Sequence, residues 1–381
     1  MIGIAANIFT GEDFIEDGVV LIQDGKILEV GRNVRVPQAF QFIDARRKML
    51  TPGFIDAHTH LGIMQEGINW QEADTNEVTE PVTAQVRVID AINPADRGFR
   101  DAVASGITTV QVLPGSSNVI CGVGSVVKTV GVTVEDMLLR QSSGLKVALG
   151  ENPKREHGGR KKMPSTRMGT AALLRQYLQK ARDYMRLKEK GEVKETDIQL
   201  EEISKALTGE LPLRVHAHRA DDIITALRIA AEFQVNVTIE HCTEGHKIVP
   251  QLKRAAISAA VGPTLSSRSK YELADLGWHT VKALADAAVP ISLITDHPVV
   301  PIGYLPVCGA LAVREGVSYK NALKALTSNA AAHLGVSHRI GSVKPGMDAD
   351  LVIWGGVDPF HYTTRVDEVY VGGKRILPAC E

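Results

Sequence analysis

One apolar run near the start of this chain ends in two histidines that stand one residue apart: Leu50-Thr51-Pro52-Gly53-Phe54-Ile55-Asp56-Ala57-His58-Thr59-His60. Alternate side chains of an extended strand point to the same face, so His58 and His60 can bind one metal ion together. Such a pair also occurs by chance. Here, however, three further candidate ligands each end an apolar, strand-like run of their own, and these are His216, His241 and Asp296. The combination predicts a metal site.

The composition is that of an ordinary globular protein rather than of a nucleic-acid-binding or membrane protein. The 381 residues carry a formal net charge of −1, so no overall field attracts nucleic acid or an anionic membrane. No apolar run reaches the roughly 20 residues that a membrane-spanning helix needs. The first residues do not resemble a secretory signal, and the four cysteines are widely spread. We therefore expect a cytoplasmic protein with free thiols, and homo-oligomer formation is left open.

Two kinds of sequence pattern predict two structural units. Residues 1–50 and 341–381 consist of short strand candidates and tight turns, so we expect both chain ends to form one small composite β-sandwich domain. In residues 51–340, eight apolar strand candidates, of which 125–128 is the weakest, alternate with helical stretches. This α/β pattern predicts a parallel sheet closed into a (β/α)8 TIM barrel, the catalytic unit. A charged loop and helical segment at about 152–210 is inserted between two barrel strands.

Each candidate ligand stands at the C-terminal end of a predicted strand, where barrel enzymes carry their active sites. Histidine nitrogen and carboxylate oxygen suit zinc and similar ions, and a catalytic site keeps one position open for water. A bound ion lowers the pKa of that water to about 7 and so supplies hydroxide at neutral pH. We therefore expect a metal-dependent hydrolase with one or two divalent ions, zinc first and iron or manganese as alternatives.

The order of these motifs resembles the amidohydrolase superfamily. The resemblance rests on the histidine run, on the three later ligands and on two segments near the C-terminus, Leu323-Lys324-Ala325-Leu326-Thr327-Ser328-Asn329-Ala330-Ala331 and Gly341-Ser342-Val343-Lys344-Pro345-Gly346-Met347-Asp348-Ala349-Asp350-Leu351-Val352. The most similar branch is that of the imidazolonepropionase-related amidohydrolases. The resemblance implies a distorted barrel, a composite β-sandwich and hydrolysis of a C–N bond, but no particular substrate.

The resemblance also implies roles for the ligand candidates. His58 and His60 resemble the metal ligands of the first barrel strand. His216 and His241 resemble those of the fifth and sixth strands. Asp296 resembles the aspartate of the last strand, which binds metal and relays protons.

The ligand of the fourth strand has two candidates. Lys146 stands in a segment that resembles the one whose lysine is carboxylated and bridges two metal ions in binuclear members. Ala148 and Gly150 follow at alternate positions and leave room inside the barrel. Glu151, a carboxylate just beyond the strand, competes for this role or contacts the substrate. We favour Lys146 and keep Glu151 as the alternative.

Two residues after His216 predict how the substrate is bound. His218 shares the face of His216, and we expect it to contact the substrate and to be the second candidate for the catalytic proton relay. Arg219 stands where deaminase branches of the superfamily usually carry glutamate, which favours hydrolysis over deamination. We expect Arg219 to contact the substrate, with an ion pair to Asp221 or Asp222 as the alternative.

The loop from Lys154 to Arg167 is rich in positive charge. Arginine suits bidentate binding of a carboxylate, so Arg155 and Arg167 predict a lid that recognises an anionic substrate. Arg268, which follows the seventh strand, is a similar candidate. The alternative is an ordinary solvated loop.

The expected reaction is hydrolysis of an amide or cyclic amide bond in a small, anionic substrate molecule. Hydroxide formed at the metal attacks the carbonyl carbon, and Asp296 takes up the proton and delivers it to the leaving nitrogen. Two alternatives are a deaminase of an aminated heterocycle on the same scaffold and a non-catalytic amidohydrolase-like binding protein. The second alternative predicts lost ligands, whereas this chain retains them.

Overall fold

A computed structural model describes residues 1–65 and 73–377. The strands are β1 (Ile2–Phe9), β2 (Phe14–Gln23), β3 (Lys26–Gly31), β4 (Gln41–Pro52), β5 (Phe54–Thr59), β6 (Ile107–Val112), β7 (Ile120–Lys128), β8 (Leu138–Ala148), β9 (Leu213–Ala217), β10 (Val237–His241), β11 (Ala259–Val261), β12 (Ile291–Leu293), β13 (Leu351–Trp354), β14 (Val366–Val371) and β15 (Lys374–Leu377). The α-helices are α1 (Arg97–Ala104), α2 (Val134–Met137), α3 (Glu151–Gly159), α4 (Arg167–Glu189), α5 (Ile198–Leu207), α6 (Ala220–Phe233), α7 (Val249–Arg254), α8 (Trp278–Asp286), α9 (Leu305–Arg314), α10 (Tyr319–Ala325) and α11 (Ser328–Leu334). Within this part of the chain, no helix is long and apolar enough to cross a bilayer.

Both chain ends contribute to a seven-stranded sheet with the order β15-β14-β13-β4-β1-β2-β3. β1 pairs antiparallel with β2 and parallel with β4, and β13 joins the other edge of β4 in antiparallel register. Ile4 and Val20 from the N-terminal strands share a buried apolar core with Leu351 and Tyr370 from the C-terminal ones. A second sheet built from both ends is therefore confirmed. The domain boundaries stay a prediction, and residues 378–381 lie outside the described part.

Strands β5 to β12 form the second, eight-stranded sheet in sequence order. Its two edges approach each other, because the Asp296 N–H donates to the His58 carbonyl at 3.1 Å and the His60 N–H donates to the His297 carbonyl at 2.8 Å. These strands and the helices between them share one large apolar core. The predicted eight-stranded barrel is confirmed, in a nearly closed form.

One strand departs from the predicted parallel arrangement. β7 is antiparallel to both β6 and β8, and it begins at Ile120 rather than at Ser125. A parallel connection needs a crossover of about a dozen residues or more. The chain offers only residues 113–119 between β6 and β7, so β7 returns as a hairpin partner of β6.

The two sheets join at the histidine run itself. β4 ends at Pro52, and β5 begins at Phe54 after the single residue Gly53. A Cβ atom at position 53 would overlap the Thr108 side chain of β6. Glycine is therefore required where the chain passes from one sheet to the other, and this close approach sets the position of the first barrel strand.

The inserted segment between β8 and β9 consists of α3, α4 and α5. Part of the predicted basic loop is helix, because α3 spans Glu151–Gly159. Glu151 places negative charge in the first turn, where the helix dipole favours it, and its backbone N–H donates to Glu272 Oε2 at 2.9 Å. The predicted lid is thus a short helix and a connection to α4 rather than one continuous loop.

Candidate metal centre

A cavity of about 820 Å³ opens at the C-terminal edge of the barrel strands. It is lined by the predicted ligands from five different strand regions together with the neighbouring histidine: His58, His60, Lys146, His216, His218, His241 and Asp296. These residues lie up to 238 positions apart in the sequence, and the parallel strand ends bring them to one place.

The histidines and the aspartate fall into two adjacent groups. The nitrogen and oxygen atoms of His58, His60 and Asp296 lie within 4.8 Å of one another, and so do the ring nitrogens of His216, His218 and His241. The groups meet where the His241 ring lies 4.8 Å from the His58 ring, between centroids. This spacing suits a single ion in either group, or two neighbouring ions with one in each group.

Two site residues have unusual backbone conformations. His241 has φ of +72° and Asp296 has φ of +54°, in the left-handed region that residues with a Cβ rarely adopt. Consecutive residues of a strand normally point to opposite faces, yet Glu240 contacts His58 inside the barrel and the next residue, His241, lines the cavity. The left-handed residue ends the alternation and turns the His241 side chain inward. Strain of this kind clusters at functional sites.

Backbone carbonyls orient two of the imidazole rings. His60 Nδ1 lies 2.8 Å from the Leu113 carbonyl oxygen, and His241 Nδ1 lies 2.9 Å from that of Gly262. A carbonyl oxygen only accepts, so Nδ1 of each ring carries a hydrogen and donates it. In the neutral rings the lone pair is therefore on Nε2. Metal-binding histidines are commonly oriented in this way.

The Nε2 lone pair of His60 faces a carboxylate. Asp296 Oδ1 lies 3.3 Å from His60 Nε2 and 3.5 Å from His58 Nε2. Asp296 Oδ1 is buried and has no hydrogen-bond partner among the described residues. A lone pair opposite a carboxylate is unfavourable unless a cation lies between them. Imidazole nitrogen and carboxylate oxygen form a donor set for a divalent transition metal, so these residues fit such an ion.

Burial keeps four of the site histidines, His58, His216, His218 and His241, in the form that binds metal. It lowers the pKa of His58 from 6.5 to about 4 and the pKa values of His216, His218 and His241 well below the usual range. Burial likewise lowers the pKa of the Lys146 amine. Neutral imidazole is the ligand form, because a protonated ring has no free lone pair.

The two candidates for the fourth-strand ligand occupy different environments. Lys146 is fully buried, with Nζ 3.2 Å from His58 Nε2, and it donates to the Pro114 carbonyl at 3.3 Å. Glu151 is not among the residues that line the cavity. Its Oε1 atom lies 3.8 Å from Arg155 Nη1 on the same helix. The geometry therefore favours Lys146 over Glu151.

Two of the predicted substrate-binding arginines are held by nearby aspartates outside the cavity. Arg219 binds Asp221 through two hydrogen bonds of 2.9 Å, which is the alternative left open for it. Arg167 binds Asp222 at 3.1 Å. Neither arginine lines the cavity, and each forms an ion pair with an aspartate outside it.

The other two arginines differ from each other. Arg268 donates to the Leu276 carbonyl at 2.7 Å and does not line the cavity. Arg155 does line it, and its side chain is 66% exposed. Of the residues predicted to bind substrate, the structure thus places Arg155 and His218 at the cavity.

Two charged residues that were not predicted from the sequence lie beside the histidines: Lys270 lines the cavity, and Glu272 is buried next to it. Glu272 Oε1 lies 3.7 Å from Nε2 of both His216 and His218, and Lys270 Nζ lies 2.6 Å from the same oxygen. Lys270 also donates to Asn152 Oδ1 at 3.1 Å. Their position could have indicated this role, because both follow the seventh barrel strand at the edge of the sheet that carries the predicted ligands.

A second missed residue is Glu240, which stands beside His241 in an apolar strand. Both Glu240 and His58 are fully buried, and the structure brings them into contact inside the barrel. A glutamate within a buried strand was a signal in itself, because a charged side chain is rarely buried without a partner.

Comparisons with known proteins agree on one family. The model of the amidohydrolase family matches residues 49–376. The crystal structure of an amidohydrolase from Thermotoga maritima MSB8 has a TM-score of 0.95 and 43% sequence identity, with 99% of each chain covered.

Two curated relatives are more distant in sequence. The amidohydrolase tasK from Hapsidospora irregularis is 28% identical over 388 residues, and the match spans 93% of this chain but only 39% of that relative. The imidazolonepropionase from Alkaliphilus metalliredigens is 24% identical over 413 residues, with 95% of this chain and 91% of the relative covered.

Proposed function

The chain belongs to the amidohydrolase family, whose members hydrolyse C–N bonds, and we propose that it cleaves an amide or cyclic amide bond in a small anionic substrate with the help of a divalent metal. The observation that carries this proposal is the contact between His60 Nε2 and Asp296 Oδ1. Two electron-pair donors lie 3.3 Å apart, one of them a buried carboxylate oxygen with no hydrogen-bond partner among the described residues, and a divalent cation would stabilise that arrangement.

The residues that would hold one or two zinc ions line one cavity: His58, His60, Lys146, His216, His241 and Asp296. When bound, such an ion lowers the pKa of a water molecule and polarises the carbonyl group of a substrate. Burial lowers the pKa of the Lys146 amine and so makes its neutral form more accessible, and this form would form an N–C bond with carbon dioxide and release a proton. The resulting carbamate would supply two oxygen ligands.

Asp296 performs the proton transfers in this proposal. Its Oδ1 atom lies beside two ring nitrogens and has no hydrogen-bond partner among the described residues, so it would be available to a water and to a leaving nitrogen in the cavity. Asp296 accepts a proton from the water and delivers it to the nitrogen as the C–N bond breaks. His218 lines the same cavity beside His216 and His241, and Thr243 Oγ1 orients its ring at 2.7 Å from Nδ1.

The charge at the cavity mouth supports an anionic substrate. Arg155 and Lys270 both line the cavity, next to hydroxyl groups of the loop that follows β11. Glu272 neutralises Lys270, whereas among the described residues Arg155 pairs only with Glu151, at 3.8 Å, and keeps most of its hydrogen-bonding capacity. We propose that Arg155 binds a substrate carboxylate, for which the guanidinium geometry is well suited.

The experiment is a substrate screen with zinc-replete protein. Cyclic imides, hydantoins and dipeptides are offered in pairs, each with a free carboxylate and with the carboxylate amidated. We expect hydrolysis that a chelator abolishes, with a higher kcat/KM for the carboxylates. Arg155→Gln should remove that preference. Arg160→Gln, whose guanidinium is held by Glu156 and the Val78 carbonyl, is the matched control.

Two outcomes would overturn the proposal. Turnover that resists complete metal removal would exclude the metal-dependent reaction. Release of ammonia from aminated heterocycles, with no hydrolysis of amides, would favour the deaminase alternative.

A further inference from the structure

A second group of metal-type side chains lies outside the cavity. His246 stands in the 3-10 turn Gly245–Ile248 after β10, while Asp275 and His279 flank the start of α8. Their candidate ligand atoms lie within 4.8 Å of one another, and none of the three residues lines the catalytic cavity. His246 Nε2 is 3.3 Å from Asp275 Oδ2, and His279 Nε2 is 3.6 Å from Asp275 Oδ1. We call these three residues the peripheral cluster.

The hydrogen bonds of Thr280 determine where the His246 proton is. The Thr280 hydroxyl donates to the Thr243 carbonyl oxygen at 2.7 Å, so its single hydrogen is used there. His246 Nδ1 lies 2.7 Å from the Thr280 oxygen and must therefore donate to it. In the neutral ring, Nε2 then has a lone pair, and this lone pair faces the carboxylate of Asp275.

The His246 ring is already in the arrangement that a metal requires. Metal-binding histidines typically donate their second ring N–H to a neighbouring acceptor, which is the role of Thr280 here. The His279 ring packs over Gly277, where a Cβ atom would lie 2.5 Å from His279 Nδ1.

We propose that His246, Asp275 and His279 form a peripheral site for a divalent transition-metal ion such as zinc, separate from the catalytic centre. Two imidazole nitrogens and one carboxylate oxygen are the donors that ions of this class prefer. The exposed side of the peripheral cluster leaves the remaining coordination positions to water. This inference does not depend on the proposed function of the cavity.

Lys247 would compete with a metal ion for the carboxylate of Asp275. Its ammonium group lies 2.7 Å from Asp275 Oδ2 and 2.8 Å from Glu244 Oε1. The side chain is 44% exposed, so it can leave Asp275 while keeping Glu244 as a partner. The lysine thus balances the charge of Asp275 when no ion is bound, and its removal should strengthen metal binding.

The test is a calorimetric titration of zinc chloride into zinc-replete, desalted protein, with bound zinc counted by elemental analysis. We expect the wild type to take up one more ion per chain than His279→Ala. Lys247→Ala should bind that ion more tightly. Thr280→Val should bind it about 10–100-fold more weakly, and Thr280→Ser should resemble the wild type. His338→Ala, which removes an exposed histidine elsewhere, is the control.

Equal zinc content in the wild type and His279→Ala would overturn the proposal, and so would weaker binding by Lys247→Ala. The first result would mean that the peripheral cluster is an ion-pair network only. Each test compares two proteins with the same catalytic cavity, so the number of ions in that cavity does not affect the difference between them. His279 and Lys247 are exposed side chains, and their truncation leaves the core unchanged.

Discussion

Glu240 Oε2 lies 2.9 Å from His58 Nδ1 inside the barrel, where both side chains are fully buried. The second carboxylate oxygen of Glu240 accepts a hydrogen bond from the Thr238 hydroxyl at 2.9 Å and lies 3.2 Å from His333 Nε2. Burial raises the pKa of Glu240, but the neighbouring His333 and His58 outweigh it and hold the pKa well below the usual range. An ionised carboxylate therefore stands directly behind a candidate metal ligand.

We predict that Glu240→Gln weakens metal binding with little change in shape. The amide is neutral and accepts a hydrogen bond from His58 less strongly, so the His58 ring is a poorer ligand. Loss of such a partner typically costs about 10–100-fold in metal affinity. Competition with a chelator, followed by metal analysis, measures the change. Glu232→Gln, on the protein surface, should behave as the wild type, and an unchanged affinity in Glu240→Gln would refute this role.

We predict that Lys146→Ala and Glu151→Ala differ in the number of ions they retain. Lys146 Nζ lies 3.2 Å from His58 Nε2 in the cavity, whereas the Glu151 carboxylate lies beside Arg155 on α3. Lys146→Ala should therefore lose one of two bound ions, and Glu151→Ala should keep both. Elemental analysis of the purified variants provides the readout. The reverse pattern would transfer the bridging role to Glu151, and one ion per chain in all three proteins would exclude a bridging ligand.

We predict that Asp296→Asn removes most of the turnover but leaves the fold intact. Asparagine has the same shape as aspartate but cannot accept the proton from water. The loss of general acid–base catalysis costs roughly 10²–10⁴-fold in rate. The kcat for the substrate found in the screen is measured beside circular dichroism and metal content. A near-normal kcat would place the proton relay elsewhere, and His218 would be the next residue to test.

We predict that Asp348, which is not a candidate metal ligand, makes a pH-dependent contribution to the stability of the fold. Lys26, Lys128 and Arg339 surround its carboxylate. Burial raises the pKa of Asp348, but these cations outweigh it and lower the pKa from 3.8 to about 2. Between these two values the unfolded chain binds more protons than the folded one. The stabilisation is therefore complete above pH 3.8 and is lost as the pH falls towards 2.

At neutral pH, Asp348→Asn should lower the free energy of unfolding by about 2 kcal/mol, the amount that corresponds to this shift. Urea unfolding of both proteins at pH 7 measures the difference, and the series is repeated at lower pH. The difference between the two proteins should narrow as the pH falls below about 4. A difference that is constant across this range would show that Asp348 acts by packing rather than by its charge.

The barrel and the second sheet could be predicted because their patterns are local. Apolar runs of strand length that alternate with helical stretches mark the barrel strands, and the shared edge of parallel strand ends indicates that His58, His216 and His241 meet. The direction of β7 could not be read in the same way. It depends on the short connection before it, and the apolar run at 120–128 is compatible with either direction. The roles of the ligands stay predictions until metal is measured.

The amino-acid sequence alone determined which strand ends carry histidine, aspartate and lysine, since that follows from residue order and from the positions of the apolar, strand-like runs. The tertiary structure decided which charged side chains belong to the site. Arg167 and Arg219 form ion pairs with aspartates outside the cavity, whereas Glu240 contacts His58, which lies 182 positions away in the sequence. A charged side chain binds the best partner within its reach, and only the folded chain determines which partners are within reach.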